Sequence, residues 1–275
     1  MRYPAVAGRF YPSERGELLK SIESCFTHPL GPGLPGACRG ERRISAAVCP
    51  HAGYQASGMN AAHSYKAIAE DGLPEAYIVI GPDHNGVPYD AVMCGEEYLT
   101  PLGQCKIHEG IASRLRNHVP DDARAHKREH SVEVQVPFLQ YIDPDPKIVP
   151  IIMSRQDITS ARRLAAQVRA ACEGYDAIVI ASSDMAHYIP KDSATQLNAA
   201  VLDRLVAKDV EGMYAEIIGK RISVCGYGPM AAALFAAEPD RVEVLKYSDS
   251  WDSLHYDRNA VVGYASAVMF GPGAG

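Results

Sequence analysis

Apolar residues follow two rhythms along this chain. Ile44–Cys49, residues 77–80, Lys147–Met153 and residues 177–181 are short runs, apolar at almost every position, the pattern of strands covered on both faces. Between them apolar residues recur at helical spacing, as Met59, Ala62, Ala67 and Ile68 do within residues 57–70. The same reading predicts helices over residues 14–26, 108–118, 132–142 with a break at Pro137, 194–207, 210–218 and Tyr227–Ala237. Another helix runs to about Cys172 from a cap at Asp157 or Thr159. Residues 90–94 form a further strand candidate, and residues 242–247 and 260–269 close the chain with two strands near enough to pair antiparallel. The alternation predicts an α/β fold: a single domain over residues 1–275, with a central mostly parallel or mixed β-sheet flanked by helices on both faces. The Gly/Pro-rich stretch 29–40 reads as a surface loop.

Composition narrows the class. Of 275 residues, 47% are hydrophobic and 22% charged, ordinary values for a globular chain with ample core. A formal net charge of -6 gives no general attraction to nucleic acid or anionic membrane. The densest basic stretch, residues 39–43, is short and contains Glu41. No apolar run approaches the roughly 18–20 residues that span a bilayer. The N-terminus carries Pro4, Gly8, Arg9 and Pro12 instead of a signal peptide's apolar core, so a cytoplasmic location is expected. The seven cysteines are odd in number with no C-x-x-C pair, which excludes a disulfide framework and a zinc ribbon. Most of these thiols read as small buried hydrophobes in a reducing compartment.

Candidate chemistry lies where apolar runs end. Val48-Cys49-Pro50-His51, Ile80-Gly81-Pro82-Asp83-His84 and Ala181-Ser182-Ser183-Asp184-Met185-Ala186-His187 each pass from a strand into a polar turn holding a histidine. In open α/β sheets ligands bind beyond the carboxyl ends of the strands, so parallel strands bring all three histidines to one edge. Cys225 sits between Val224 and Gly226 at the start of a helix, where the helix dipole favours a thiolate; a buried cysteine in a tight turn is the bland alternative. His130 in Glu129-His130-Ser131-Val132-Glu133 either points into the same crevice or lies in a solvated turn before the helix. Tyr54, Tyr188 and Tyr227 neighbour these motifs and offer aromatic walls, or ordinary packing. His28, His63, His108, His118, His126 and His255 read as solvent-facing or ordinary.

Imidazole, thiolate and carboxylate together suit iron, copper or zinc. Two histidines with one anion, Cys225 ahead of Asp184 or Asp83, form a facial set with positions open for substrate. Three functions follow: a metal-dependent oxidoreductase, a hydrolase using Cys225 with His187 or a zinc-bound water, and a non-catalytic module gripping a peptide or a metal.

The motifs A-V-A-G-R-F-Y-P from Ala5, P-H-A-G-Y from Pro50, G-P-D-H from Gly81, E-H-S-V-E from Glu129, S-S-D-M-A-H from Ser182 and C-G-Y-G-P from Cys225 cover nearly the whole chain. In this order they resemble the Memo family, also called AmmeMemoRadiSam system protein B. The resemblance implies a fold like the class III extradiol ring-cleaving dioxygenases, with Fe(II) as the expected metal and copper or zinc as alternatives. It implies His51, His84 and Cys225 as metal ligands, Cys225 standing where the dioxygenases have a glutamate. It implies His187 as the acid/base, here with Asp184 orienting it, and His130 as a further pocket histidine. A thiolate in place of glutamate alters the metal's electronics and can itself be oxidised, so ring cleavage does not carry over. The expected ligand is an unidentified small molecule or peptide. The prokaryotic family name implies AMMECR-type and radical SAM proteins as partners.

Overall fold

The apolar runs become the centre of a mixed sheet. The computed structural model describes residues 1–38, 40 and 42–271; Arg39 and Glu41 of the basic stretch, and residues 272–275, lie outside them. Its strands are β1 (Ile44–Cys49), β2 (Ala76–Pro82), β3 (Ala91–Met93), β4 (Tyr98–Thr100), β5 (Gly103–Ile107), β6 (Lys147–Met153), β7 (Ala177–Ser182), β8 (His187–Ile189), β9 (Arg241–Asp249) and β10 (Val261–Phe270). The helices are α1 (Arg15–Thr27), α2 (Tyr54–Asp71), α3 (Glu109–Leu115), α4 (Ala123–His126), α5 (Val136–Ile142), α6 (Ile158–Cys172), α7 (Lys191–Val206), α8 (Val210–Gly219), α9 (Tyr227–Ala237) and α10 (Ser250–Leu254). The strand order is β4-β5-β6-β2-β7-β1-β10-β8, with β3 on β6 and β9 on β10. Pairing is parallel from β5 through β6, β2 and β7 to β1. It is antiparallel where β10 joins β1, β8 and β9.

Every residue of β2 is buried, as are nearly all of β1, β6 and β7, because helices cover both faces. The crossover through α2 runs from β1 past β7 to β2, and the one through α6 runs back from β6 past β2 to β7. Right-handed crossovers in opposite directions place α2 and α6 on opposite faces. The order β2-β7-β1 is therefore the place where connections diverge and a crevice opens beyond the strand ends. Register keeps those ends level, with Cys49 paired to Ser182 and Ile80 to Ala181.

Three local outcomes differ from expectation. Pro137 starts α5 instead of breaking a longer helix: residues Glu133–Gln135 form a 3-10 turn, and Pro137 follows in the first turn of α5, where its missing N–H costs nothing. Helix α2 begins at Tyr54, three residues earlier than its periodicity, because the Tyr54 N–H finds the Phe10 carbonyl at 2.8 Å. The β4–β5 hairpin and β8 were not foreseen; at three to five residues they are too short to show a period. No helix among the described residues is long and apolar enough to cross a membrane.

Candidate metal centre

From the end of β1 the chain delivers His51, 1% exposed. Its Nδ1 lies 2.8 Å from Ser182 Oγ. That hydroxyl donates its only proton to the Ser131 carbonyl (2.7 Å) and accepts from Gln135 Nε2 (2.8 Å). The Gln135 amide cannot be reversed, since the same nitrogen also donates to the Pro50 carbonyl and its oxygen accepts from Tyr65. Ser182 is left only as an acceptor, so His51 carries its proton on Nδ1 and its Nε2 is a bare lone pair. Burial, then the neighbouring His130 and His84, push the His51 pKa well below its ordinary value, so the ring stays neutral.

His84 leaves the end of β2 on a turn that Asp83 builds: the Asp83 carboxylate accepts the N–H groups of Asn85 (2.8 Å), Gly86 (3.1 Å) and Val87 (2.7 Å) and the Ser154 hydroxyl (3.0 Å). Asp83 is thus a turn-forming residue with its oxygens engaged, a correction to its place as an alternative anionic ligand. A Cβ on Gly81 would lie 2.3 Å from Ser131 Oγ, so only glycine lets the Glu129–Ser131 segment close over β2. His84 Nδ1 donates to Glu129 Oε1 at 2.9 Å, leaving Nε2 bare. Burial lowers the His84 pKa, but the hydrogen bond and charge of Glu129 outweigh it and the net shift is upward.

Cys225 arrives from the other side, on the turn before α9. A Cβ on Gly226 would meet the Ser182 carbonyl at 2.3 Å, so this glycine lets the turn touch the end of β7. Cys225 Sγ lies 3.2 Å from His51 Nε2 and accepts the Asp184 N–H at 3.1 Å. Burial, reinforced by the Asp184 carboxyl, pushes the Cys225 thiol pKa well up, opposite to the pull of the helix dipole. Donor atoms of His51, His84 and Cys225 all lie within 4.8 Å of one another. Metals of this type bind imidazole nitrogen and thiolate sulfur at about 2.0–2.3 Å, which sets ligand atoms around one ion about 3–4 Å apart. Two bare imidazole nitrogens and a thiol that needs a neighbouring cation to ionise fit such an ion.

The other expected residues divide. The His130 ring lies 4.5 Å from that of His84 and 5.4 Å from that of His51, so it joins the crevice; burial lowers its pKa to about 4. Asp184 is buried beside His51 and Cys225, accepting the His51 N–H at 2.8 Å, and burial raises its pKa to about 6. It does not orient His187. That ring donates Nδ1–H to the Ser223 carbonyl at 2.7 Å, which leaves Nε2 free. Nor does His187 lie in the turn after β7: it opens β8, paired with Val262, because the chain continues past Asp184 before emerging. Tyr54 is a core residue, donating to the Val134 carbonyl and packed on Phe138 and Tyr11, so it is no pocket wall. Tyr188 is 75% exposed beside His187, and Tyr227 is half-buried against Tyr214.

Residues that carry the site's geometry went unassigned in the sequence. Glu129, Ser182, Gln135 and Ser223 hold the rings, and although Glu129 and Ser182 fall within the motifs, nothing local marks them as partners of His84 and His51. Of the histidines read as solvent-facing or ordinary, His126 and His108 are of the second kind, buried and structural: His126 lies between Tyr98 and the Val92 carbonyl, and His108 caps α3. A cavity of about 620 Å³ beside Cys172, Tyr175 and Ala177 lies at the opposite end of β7, away from these groups.

A family model of Memo-like proteins matches residues 2–268. The chain is 42% identical to a MEMO1 family protein of Methanopyrus kandleri, over 98% of each chain. It is 40% identical to one of Methanobrevibacter smithii, over 98% of this chain and 99% of that one. Among solved structures it is similar to an uncharacterized protein from Escherichia coli K12, with TM-score 0.52 and 15% identity over 82% of this chain and 100% of that one. That likeness concerns the fold alone, a mixed sheet between helical layers.

Proposed function

This chain belongs to the family of Memo-like proteins, and we propose that it holds a redox-active transition metal at His51, His84 and Cys225. Fe(II) is the first expectation, with copper as the redox-active alternative, and the activity is that of an oxidoreductase on a small molecule; zinc suits the same donors but has no redox chemistry, so it would supply Lewis acidity alone. The observation that carries this reading is the convergence of two imidazoles on one thiol, each with Nδ1 engaged and Nε2 unprotonated, the His51 Nε2 facing Cys225 Sγ at 3.2 Å. When bound, such an ion supplies Lewis acidity and an electron-transfer partner. The protein's part is to orient the donors, hold His130 beside them and keep a bare His187 Nε2 at the rim to accept or return a proton. The hydrolase reading needs Cys225 ionised by His187, and burial pushes the Cys225 thiol pKa well up, which speaks against it.

The test is the metal content of protein purified without oxygen, by mass spectrometry, beside Cys225→Ser. Near-stoichiometric iron or copper that is lost in the variant supports the site. Protein that is metal-free and refuses added iron, copper and zinc removes this reading and turns attention to peptide binding.

A further inference from the structure

A second group of potential donors, His84, Glu129 and His130, lies beside the first and shares His84 with it. Two readings compete: a second metal site, or a carboxylate that serves the first. Counting lone pairs decides between them. Glu129 Oε1 accepts from His84 Nδ1 (2.9 Å), from the His130 N–H (2.8 Å) and from the Ser131 N–H (2.9 Å). Oε2 accepts from the His84 N–H (2.7 Å) and from Asn85 Nδ2 (2.9 Å). A carboxylate offers about four lone-pair sites, and five donors already face this one. A cation placed there would have to displace several charge-assisted hydrogen bonds of a side chain that is 2% exposed.

We propose that Glu129 is the positioning residue of the metal centre and no ligand to a second ion. It grips His84 at both its backbone N–H and its ring, which fixes the turn and the tautomer together. It holds the His130 backbone with the same oxygen, so the two rings, 4.5 Å apart, are set by one group. An anionic acceptor on Nδ1 also makes the far nitrogen a better donor. The geometry is pinned from behind by Ser131, whose hydroxyl donates to the Pro82 carbonyl at 2.8 Å and whose carbonyl receives the Ser182 hydroxyl. His84 and His51 are thereby tied to one short segment, residues 129–131, although they leave different strands. This proposal rests on the metal reading for its consequence, and on hydrogen bonding alone for its geometry.

The experiment compares the parent with Glu129→Gln, Glu129→Asp and Glu129→Ala, using Zn(II) as the probe. Long-range imidazole nitrogen–proton NMR on the metal-free parent is expected to show His84 as the Nδ1–H tautomer, and Glu129→Ala to release it toward Nε2–H. Zn(II) is expected to bind the parent at one equivalent. In Glu129→Gln an amide N–H must face either the His84 N–H or its ring, so affinity is expected to fall about 10–100-fold at unchanged stoichiometry. Glu129→Asp, which keeps the charge, recovers part of the loss. Circular dichroism and thermal melting of each metal-free variant establish that it is folded, and Glu129→Gln carries the test if Glu129→Ala does not fold. Two equivalents in the parent with one lost in Glu129→Gln, an Nε2–H tautomer in the parent, or unchanged Zn(II) affinity each overturn the proposal. If the parent takes up no metal while His84 is Nδ1–H, the metal reading fails and the positioning of His84 by Glu129 stands.

Discussion

Two polar regions lie side by side in this protein, one buried and one opening to solvent, and they treat their histidines differently. In the first, Arg2, Tyr98, His126 and Glu133 clasp the N-terminal segment to the core. Glu133 takes the Arg2 guanidinium, the Ala5 and Val6 N–H groups and the Tyr11 hydroxyl. His126 gives Nε2–H to the Val92 carbonyl (3.1 Å) and receives the Tyr98 hydroxyl on Nδ1 (2.7 Å), so both ring nitrogens are used. In the second region His51, His84 and His187 each have Nδ1 engaged and Nε2 without a strong partner. A histidine with both ring nitrogens bonded is structural; one with a nitrogen withheld is a candidate ligand, whether its residue is buried, as His51 is, or exposed, as His84 is. The difference turns on one nitrogen, which is why burial alone does not separate the regions.

The comparison breaks most sharply on metal. His51→Ala and His84→Ala are expected to lose stoichiometric metal while staying folded. His187→Ala keeps most of it, and His126→Gln, which reproduces one donor and one acceptor, keeps all of it. Metal content by mass spectrometry of the anaerobically purified variants checks this, and equal content in all of them places the donors in the wrong region.

The next effect is on stability, and it belongs to the clasp. Glu133→Ala leaves the Arg2 guanidinium buried without its partner and is expected to cost about 3–5 kcal/mol in urea unfolding of the metal-free protein. A loss below about 1 kcal/mol shows that the clasp adds little, as exposed ion pairs do.

A smaller effect depends on pH. Burial lowers the His126 pKa to about 4 from 6.5. The folded state therefore binds fewer protons than the unfolded chain between these values. This contribution is full above the unfolded pKa and is lost as pH falls through the window toward the folded one. Between pH 7 and pH 5 it removes about 2 kcal/mol in the parent and nothing in His126→Gln. His130 acts in the same sense, and Asp184, raised to about 6, in the opposite sense. The difference between parent and variant is accordingly the informative quantity, and equal pH slopes in the two proteins contradict the assignment.

The smallest effect is at the rim. Tyr188 holds φ 58°, a left-handed conformation unfavourable for a tyrosine. Tyr188→Gly relieves it and is expected to raise the urea midpoint by the equivalent of about 1 kcal/mol with metal content unchanged. A loss of stability would mean that the ring contributes packing despite its exposure.

Much of this molecule was legible beforehand where the signal is local. Ile44–Cys49, Lys147–Met153 and Tyr227–Ala237 form the elements their apolar patterns predict, residue for residue, and Asp157 caps α6. His51 and His84 stand just past the ends of parallel strands, as the run-then-turn pattern implies. His187 shows the limit of that pattern: the same motif led to a short strand against β10, because five residues after Ser182 were enough to carry it out of the turn.

What the sequence determined by itself is the set of elements and the donors standing past the strand ends, since those depend on neighbours a few positions away. Only the tertiary structure decided which nitrogen of each ring is free. His84 meets its acceptor 45 positions along the chain, Ser182 accepts the His51 Nδ1–H from 131 positions away, and Cys225 reaches His51 across 174. A tautomer follows from the last hydrogen bond in a chain of them, and no local pattern records bonds between residues so far apart.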